Sequence, residues 1–144
     1  SDGMIGQSIA DAIGSDLNGS FGSMPGTDSD GSAKFAEISG DIDPTAPYAG
    51  ESYDAAALIV LAMQAGGSAD RMSVVSNIKK VANAPGEKIL PGELAKGLSI
   101  LATGGDIDYQ GATDVELSTF GDAAGSFKEL EVKGGKFEMI QIRN

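Results

Sequence analysis

The sequence predicts an α/β fold that is rich in helices, carries short strands and ends in a β-hairpin. Apolar residues recur at helical spacing through the first two thirds of the chain and alternate with polar residues after Asp106. The 144 residues include 21 glycines, which indicates many turns and close backbone approaches. The apolar fraction of 41% is enough for a packed core.

The first part of the chain combines a short helix and a short strand. Apolar residues at helical spacing, among them Ile5 and Ile9, predict a helix from Met4 to Ile13, with Asp2 placed as its N-cap. Alternating residues from Leu17 to Met24 then predict a strand.

A long apolar helix follows a turn-rich segment and a brief helix that contains Phe35 and Ile38. The spacing predicts that the long helix begins at Glu51 or Ser52 and ends at the pair Gly66-Gly67. Ala, Leu, Ile and Val dominate its body, so the helix is expected to be buried on more than one side.

Two further helices and a set of strands complete the predicted order. Ser68 or Asp70 caps the first of these helices, and residues 84–93 are predicted to be a loop before the second. The strand segments are IDYQGAT, VELSTF and a hairpin, FKELEVKGGKFEMIQI, that turns at residues 133–136. The helical repeats are Met72, Val75, Ile78 and Val81, then Leu94, Leu98 and Leu101.

Composition excludes several kinds of function. Without Cys or His, the chain cannot form a thiol nucleophile, a Ser-His dyad, a haem site or a zinc site built on sulfur and imidazole. A formal charge of −11 argues against nucleic acid and anionic membrane surfaces as partners. No apolar run reaches the roughly 18 residues of a membrane span. The sequence also predicts no cofactor.

One segment partly matches a calcium-binding loop. Counted from Gly26, Asp28 is third, Asp30 fifth, Gly31 sixth and Glu37 twelfth, as in an EF-hand. The first position offers no side chain and no helix precedes it, so the alternative is an Asp/Ser-rich turn that caps a helix. The first prediction is therefore that the chain binds no metal. The alternative prediction is a calcium site formed by Asp28, Asp30 and Glu37.

Other motifs give no support for catalysis. The carboxylate pairs Asp41 with Asp43 and Asp106 with Asp108 have no nucleophile nearby in sequence and are interpreted as solvated loop carboxylates. The glycine-containing strings lack the spacing of a phosphate-binding loop. We therefore do not predict an enzyme.

A series of short motifs resembles the C-terminal part of bacterial periplasmic solute-binding proteins of the branched-chain amino-acid type. Five motifs occur in the order of that family over about 100 residues, although Thr113-Asp114 and Thr119-Phe120-Gly121 depart from its usual pattern. The motifs are Tyr53-Asp54-Ala55, Ala65-Gly66 with Asp70, Gly105-Asp106-Ile107-Asp108-Tyr109-Gln110-Gly111, Phe120-Gly121-Asp122, and Gly134-Gly135-Lys136-Phe137.

The resemblance implies the C-terminal portion of a two-lobed type I periplasmic binding protein. Residues 1–24 would end lobe two, residues 25–122 would be the returning part of lobe one, and residues 123–144 would cross back as a hairpin. The first half of that fold would be missing, so the chain alone is expected to bind ligand poorly. Hinge closure would bury an amino acid or a similar small solute between the lobes.

The same resemblance implies particular site residues and partners. Asp2 aligns with the acidic residue that pairs with a ligand ammonium, and a plain N-cap is the equally weighted alternative. Tyr53 or Glu51 could face the cleft, although core packing and capping are favoured for both. The implied partner is a permease of an ABC importer in the inner membrane, and the implied location is the periplasm or, for a lipoprotein, the cell surface. A sensory ligand-binding domain of the same fold is the alternative.

Overall fold

The computed structural model describes residues 5–123 and 125–143. These residues form two compact units. In chain order the elements are α1 (Gln7–Ile13), a 3-10 helix (Gly14–Leu17), β1 (Phe21–Pro25), α2 (Asp30–Ile38), α3 (Ala49–Gly66), α4 (Arg71–Ala82), β2 (Glu87–Ile89), α5 (Leu94–Ala102), β3 (Ile107–Tyr109), β4 (Phe127–Lys133) and β5 (Lys136–Arg143). The sequence-based division into lobes at residues 24 and 122 remains a prediction.

The first unit joins residues that are distant in sequence. It contains the described residues up to Asp28, residues 45–48 and those from Gly125 onward. Its sheet is antiparallel with the strand order β1-β4-β5, and Pro25 lies opposite Phe127 in the pairing of β1 with β4. The predicted hairpin is confirmed, with β4 and β5 paired around the turn and a register shift between Glu129 and Leu130.

The second unit comprises Ser29–Pro44 and the described residues of Ala49–Ala124. Here β2 and β3 form a two-stranded parallel sheet, in which Ile89 lies opposite Tyr109. Residues of α3, α4, both strands and the segment after β3 share one apolar core. Its buried members are Ala57, Leu58, Leu61, Ala62, Val81, Ala82, Ile89, Ile107, Tyr109 and Val115.

The segment 84–93 is not wholly a loop, as the sequence predicted, because it contains β2. This strand has only three residues, and prolines and glycines flank it, so the local pattern lacks a strand signal. The strand exists because Glu87–Ile89 pairs with β3, about 20 residues further along the chain. Ile89 is fully buried in that position.

The predicted strand VELSTF is wrong as well. Only an isolated bridge between Leu117 and Ala123 forms there, within a turn. The hydroxyl of Ser118 accepts hydrogen bonds from the amides of Phe120 and Asp122, at 3.2 and 3.3 Å. These two amides therefore have local hydrogen-bond acceptors and do not need a neighbouring strand.

Both elements at the start of the chain are shorter than predicted. Gly6 occupies the N-cap position of α1, and Asp2, the predicted cap, lies outside the described residues. The strand expected from Leu17 begins only at Phe21, because a 3-10 helix and a turn at Gly19 precede it.

The long helix α3 forms where predicted, and it starts two residues earlier, at Ala49. Some of its apolar side chains are exposed: Ile59 is 42% exposed and Val60 is 44% exposed. On α4, Met72 and Val75 are also exposed, whereas Val81 is buried. Among the described residues, no helix combines the length and hydropathy that crossing a bilayer requires.

Candidate functional site

The carboxyl ends of β2 and β3 mark one edge of the second unit. Because the two strands are parallel, the loops that follow Ile89 and Tyr109 leave the sheet at the same edge. In open α/β sheets, ligands bind outside the carboxyl ends of the strands. The first turns of α3 contact both loops, and we call the contacting residues Tyr53, Asp54, Gly92, Tyr109 and 111–113 the strand-end cluster.

Asp54 lies at the centre of the strand-end cluster. It is 2% exposed, and its Oδ1 accepts the hydroxyl of Tyr109 at 2.7 Å and the amide of Ala112 at 2.8 Å. Its Oδ2 accepts the amide of Thr113 at 2.9 Å and the Thr113 hydroxyl at 2.7 Å. Four donors around one carboxylate make its burial acceptable and hold the loop after β3 against α3.

Two glycines make this arrangement sterically possible. Gly111 has φ of 60°, and a Cβ there would overlap Oδ1 of Asp54. A Cβ on Gly31, in the first turn of α2, would overlap the carbonyl oxygen of Gly111. The start of α2 therefore packs directly on the loop that Asp54 holds.

Tyr53 contacts the other loop of the same edge. Its hydroxyl accepts the amide of Gly92 at 3.1 Å, and its ring lies 5.3 Å from that of Phe35, between centroids. Glu51 is half-buried in the first turn of α3, where a carboxylate interacts favourably with the helix dipole. Ligand contact by Tyr53 or Glu51 stays a prediction, and Asp2 lies outside the described residues.

The structure does not form the calcium loop that residues 26–37 partly match. Asp30–Ile38 is helical, and Ser29 and Ser32 form a capping box, with Ser29 Oγ accepting the amide of Ser32 at 3.2 Å. The carboxylate of Glu37 pairs with Lys34 at 2.8 Å. In residues 5–123 and 125–143, no group of three acidic side chains is placed to hold a metal ion.

The paired carboxylates do not share one environment. Asp41 and Asp106 are exposed, as predicted for solvated loop residues. Asp108, however, belongs to β3 and is only 9% exposed. The interpretation of Asp108 as a solvated loop carboxylate was wrong. Asp108 lies in β3, within the predicted strand IDYQGAT, and β3 is paired with β2, for which the local sequence has no strand signal.

A hydrogen bond that the sequence did not predict joins two of the family-like motifs. Asp54 of the motif Tyr53-Asp54-Ala55 accepts a hydrogen bond from Tyr109 of the motif Gly105–Gly111, 55 positions further along the chain. The available signal was an aspartate near the start of a helix whose body is strongly apolar, since a buried carboxylate needs several donors. Nothing local identifies residues 109–113 as those donors.

Tyr109 provides a test of the cluster through pH. Burial raises its pKa, and the neighbouring Asp54 carboxylate raises it further. The folded state thus keeps this proton when the unfolded chain loses it, so the contribution of Tyr109 to stability is present below about pH 10 and decreases above it. We expect Tyr109→Phe to cost about 1–2 kcal/mol at pH 7.

Above pH 10 the unfolded chain of the native sequence loses the Tyr109 proton, whereas Tyr109→Phe has no such proton. The difference in free energy of unfolding between the two proteins should therefore narrow by about 1.4 kcal/mol per pH unit above pH 10. Urea unfolding of both proteins at pH 7 and near pH 11 measures this difference. A difference that stays constant over that range would contradict the assignment.

Comparisons with known proteins agree with this arrangement of elements. The leucine-binding protein LivK of Thermotoga maritima superposes with a TM-score of 0.69 over 99% of this chain, at 19% sequence identity. This is the type I periplasmic binding fold. The α/β class and the helix-rich architecture predicted from the sequence are thus confirmed.

The chain matches only part of the proteins that it is similar to. It covers 36% of the LivK chain. The chemotactic signal transduction system substrate-binding protein BasB of Halobacterium salinarum is 29% identical over 89 residues, which are 61% of this chain and 22% of BasB. No family model matches the chain. Both similar proteins are named as binding proteins.

Proposed function

We propose that this chain is part of a solute-binding protein that captures an amino acid or a related small polar solute without chemically changing it. The main support is the strand-end cluster, which fixes two loops at the carboxyl edge of the parallel sheet in a fold shared with a leucine-binding protein. Both oxygens of Asp54 already accept two donors each, so this buried carboxylate is a rigid support and not a free base.

The proposed mechanism is capture between two lobes. Charge-assisted hydrogen bonds would hold the ammonium and carboxylate groups of the solute, and hinge closure would bury them. Glu51 and Asp2 are the acidic candidates for the ammonium, and the ring of Tyr53 is a candidate for packing against the solute. We further propose that the protein acts outside the cytoplasmic membrane, in the periplasm or as a surface lipoprotein, and needs no cofactor.

An amide NMR titration with L-leucine tests this proposal. If the chain carries only part of the cleft, binding should be weak, so the titration should reach about 10 mM, well above a Kd of about 1 mM. We expect the shifts to concentrate on the first turn of α3 and on residues 110–113. Glu51→Gln should reduce them, and Glu138→Gln, on β5, is the matched control.

Two results would count against the proposal. One is the absence of saturable shifts with any of the twenty amino acids, and the other is saturation at residues outside the carboxyl edge. Submicromolar binding would support capture and would contradict the expectation that the chain alone binds poorly.

The destination of the captured solute has two candidates. Delivery to an ABC permease is the first, and it follows from the motif resemblance. The name of BasB favours a second, delivery to a chemotaxis receptor. Deleting the gene and then measuring both uptake of labelled amino acid and chemotaxis toward it separates the two.

A further inference from the structure

Asn18 and Gly19 form a sequence pair that can react without an enzyme. They lie between the 3-10 helix and β1, and the sequence contains no other Asn-Gly pair. The backbone nitrogen of the residue after an asparagine can attack the side-chain amide carbon. Glycine in that position has no side chain to hinder the attack. The pair is therefore a candidate for spontaneous deamidation.

Deamidation exchanges ammonia for water. The nitrogen of Gly19 would bond to Cγ of Asn18, the bond from Cγ to Nδ2 would break, and ammonia would leave with the proton of the Gly19 amide. Water then opens the succinimide ring that has formed. Opening at Cγ gives aspartate, and opening at the main-chain carbonyl carbon gives isoaspartate, whose backbone runs through Cβ and Cγ. Either product adds one negative charge.

The structure holds Asn18 in a conformation that cannot form this ring. Ring closure requires the Gly19 nitrogen to eclipse Cβ about the Cα–C bond, and tetrahedral geometry at Cα then places ψ near about −120°. Asn18 has φ of −57° and ψ of 133°. The peptide plane between Asn18 and Gly19 would have to rotate by more than a quarter turn, into a sparsely allowed region.

Hydrogen bonds to the hairpin of β4 and β5 hold this conformation. The Gly19 amide, which contains the attacking nitrogen, donates to the carbonyl of Val132 at 2.9 Å, and the Val132 amide donates to the carbonyl of Ser20 at 2.9 Å. Oδ1 of Asn18 accepts the amide of Gly135, in the turn of the hairpin, at 3.1 Å. Rotation of the peptide plane would break the bond of Gly19, so ring closure requires these residues to leave the hairpin.

We propose that Asn18 is a deamidation site that reacts only when residues 18–20 detach from the hairpin. All of the contacts involved lie within the first unit. The observed rate is then the rate of the free pair multiplied by the fraction of time that the segment is detached. Isoaspartate lengthens the backbone before Gly19 by one atom and shortens the side group by one. Its bonds to Val132 and Gly135 cannot both re-form, so the detachment becomes permanent.

Peptide mapping by mass spectrometry follows the reaction in the folded protein and in guanidinium chloride, at mildly alkaline pH. We expect deamidation at Asn18 to be at least about tenfold slower in the folded protein. Asn77 and Asn83 are internal controls, because Ile and Ala follow them, and they should react more slowly than Asn18 in denaturant. Equal rates at Asn18 in both conditions would show that it reacts from the closed state. Absence of reaction in denaturant would overturn the site.

A strained glycine in the hairpin turn tests the detachment step. Gly135 has φ of 75° and Gly121 has φ of 90°, and apart from chain neighbours a Cβ on either would meet no atom within 4 Å. Gly135→Ala strains the turn that holds Asn18 and keeps its amide donor, whereas Gly121→Ala strains a turn of the second unit. We expect Gly135→Ala to accelerate deamidation about fivefold or more, and Gly121→Ala to leave it unchanged. Equal rates in the two variants would overturn the proposal.

The purified isoaspartate form tests whether the detachment is permanent. Hydrogen exchange of the Gly19 and Gly135 amides should be at least about tenfold faster in this form than in the native protein. Asn18→Asp keeps the backbone length and an acceptor oxygen, so it should leave both exchange rates unchanged. The reaction involves no solute, so its outcome is independent of the proposed amino-acid site. Native protection of both amides in the isoaspartate form would refute permanent detachment.

Discussion

Replacing Asp54 by Ala is expected to lower the free energy of unfolding by about 3–5 kcal/mol, because four donors lose their acceptor in a buried position. The amides of Ala112 and Thr113 and the hydroxyls of Tyr109 and Thr113 would all be left without it. Asp54→Asn should lower the free energy of unfolding by less than Asp54→Ala, since one acceptor oxygen remains. It should still be destabilising, because the new NH₂ group would face hydrogen-bond donors. Urea unfolding monitored by circular dichroism measures both changes.

Asp106→Ala is the matched control for this substitution. Asp106 is an exposed aspartate that directly precedes β3, so its side chain should contribute no more than about 0.5 kcal/mol. Amide hydrogen exchange of residues 111–113 gives a local readout, which should accelerate in Asp54→Ala and not in the control. A cost below about 1 kcal/mol for Asp54→Ala would show that Asp54 does not hold this loop.

Salt is expected to have the second large effect, because the chain carries a net charge of −11. Exposed like charges repel each other in the compact state, and the screening length falls from about 30 Å at 0.01 M salt to about 3 Å at 1 M. We expect the folded state to gain roughly 2–4 kcal/mol over that range, at a few tenths of a kcal/mol for each surplus charge. Thermal unfolding in a series of NaCl concentrations measures the gain.

A charge-reduced variant separates screening from other effects of salt. Changing the exposed residues Asp16, Asp41 and Asp122 to Asn removes three negative charges with little change in shape. The variant should be more stable at low salt and should respond less to added NaCl. An identical salt response in both proteins would mean that charge repulsion is not the cause.

The elements that the sequence could predict are those whose signal is local. The apolar period and the glycine pair that ends α3 lie within the helix itself, and the hairpin of β4 and β5 turns within four residues. The three-residue strand β2 has no such signal, since it is stabilised by pairing with Ile107–Tyr109. Its length is shorter than any window in which alternation can be recognised.

The candidate site shows the same division. Tyr53 and Glu51 could be proposed because they belong to the start of a predicted helix, which the family resemblance places near the cleft. The role of Asp54 depends on residues 55 to 59 positions away, which only the folded chain brings together. Gly31 had a local explanation that does not hold in the fold. Its position matched the glycine of a calcium loop, whereas in the structure a glycine is required there because the backbone of Gly111 approaches it closely.

The antiparallel sheet of the first unit also constrains the order of folding. Pro25 and Phe127 pair although about 100 residues separate them, and closing such a loop in an unfolded chain costs about 4 kcal/mol of entropy. Nearly all of the intervening residues belong to the second unit, whose contacts are mostly formed within that span. Once the second unit has folded, the two strands are joined by a compact body and not by a flexible loop. We therefore expect β1 to meet β4 late, with the central residues of the chain folding before its two ends pair.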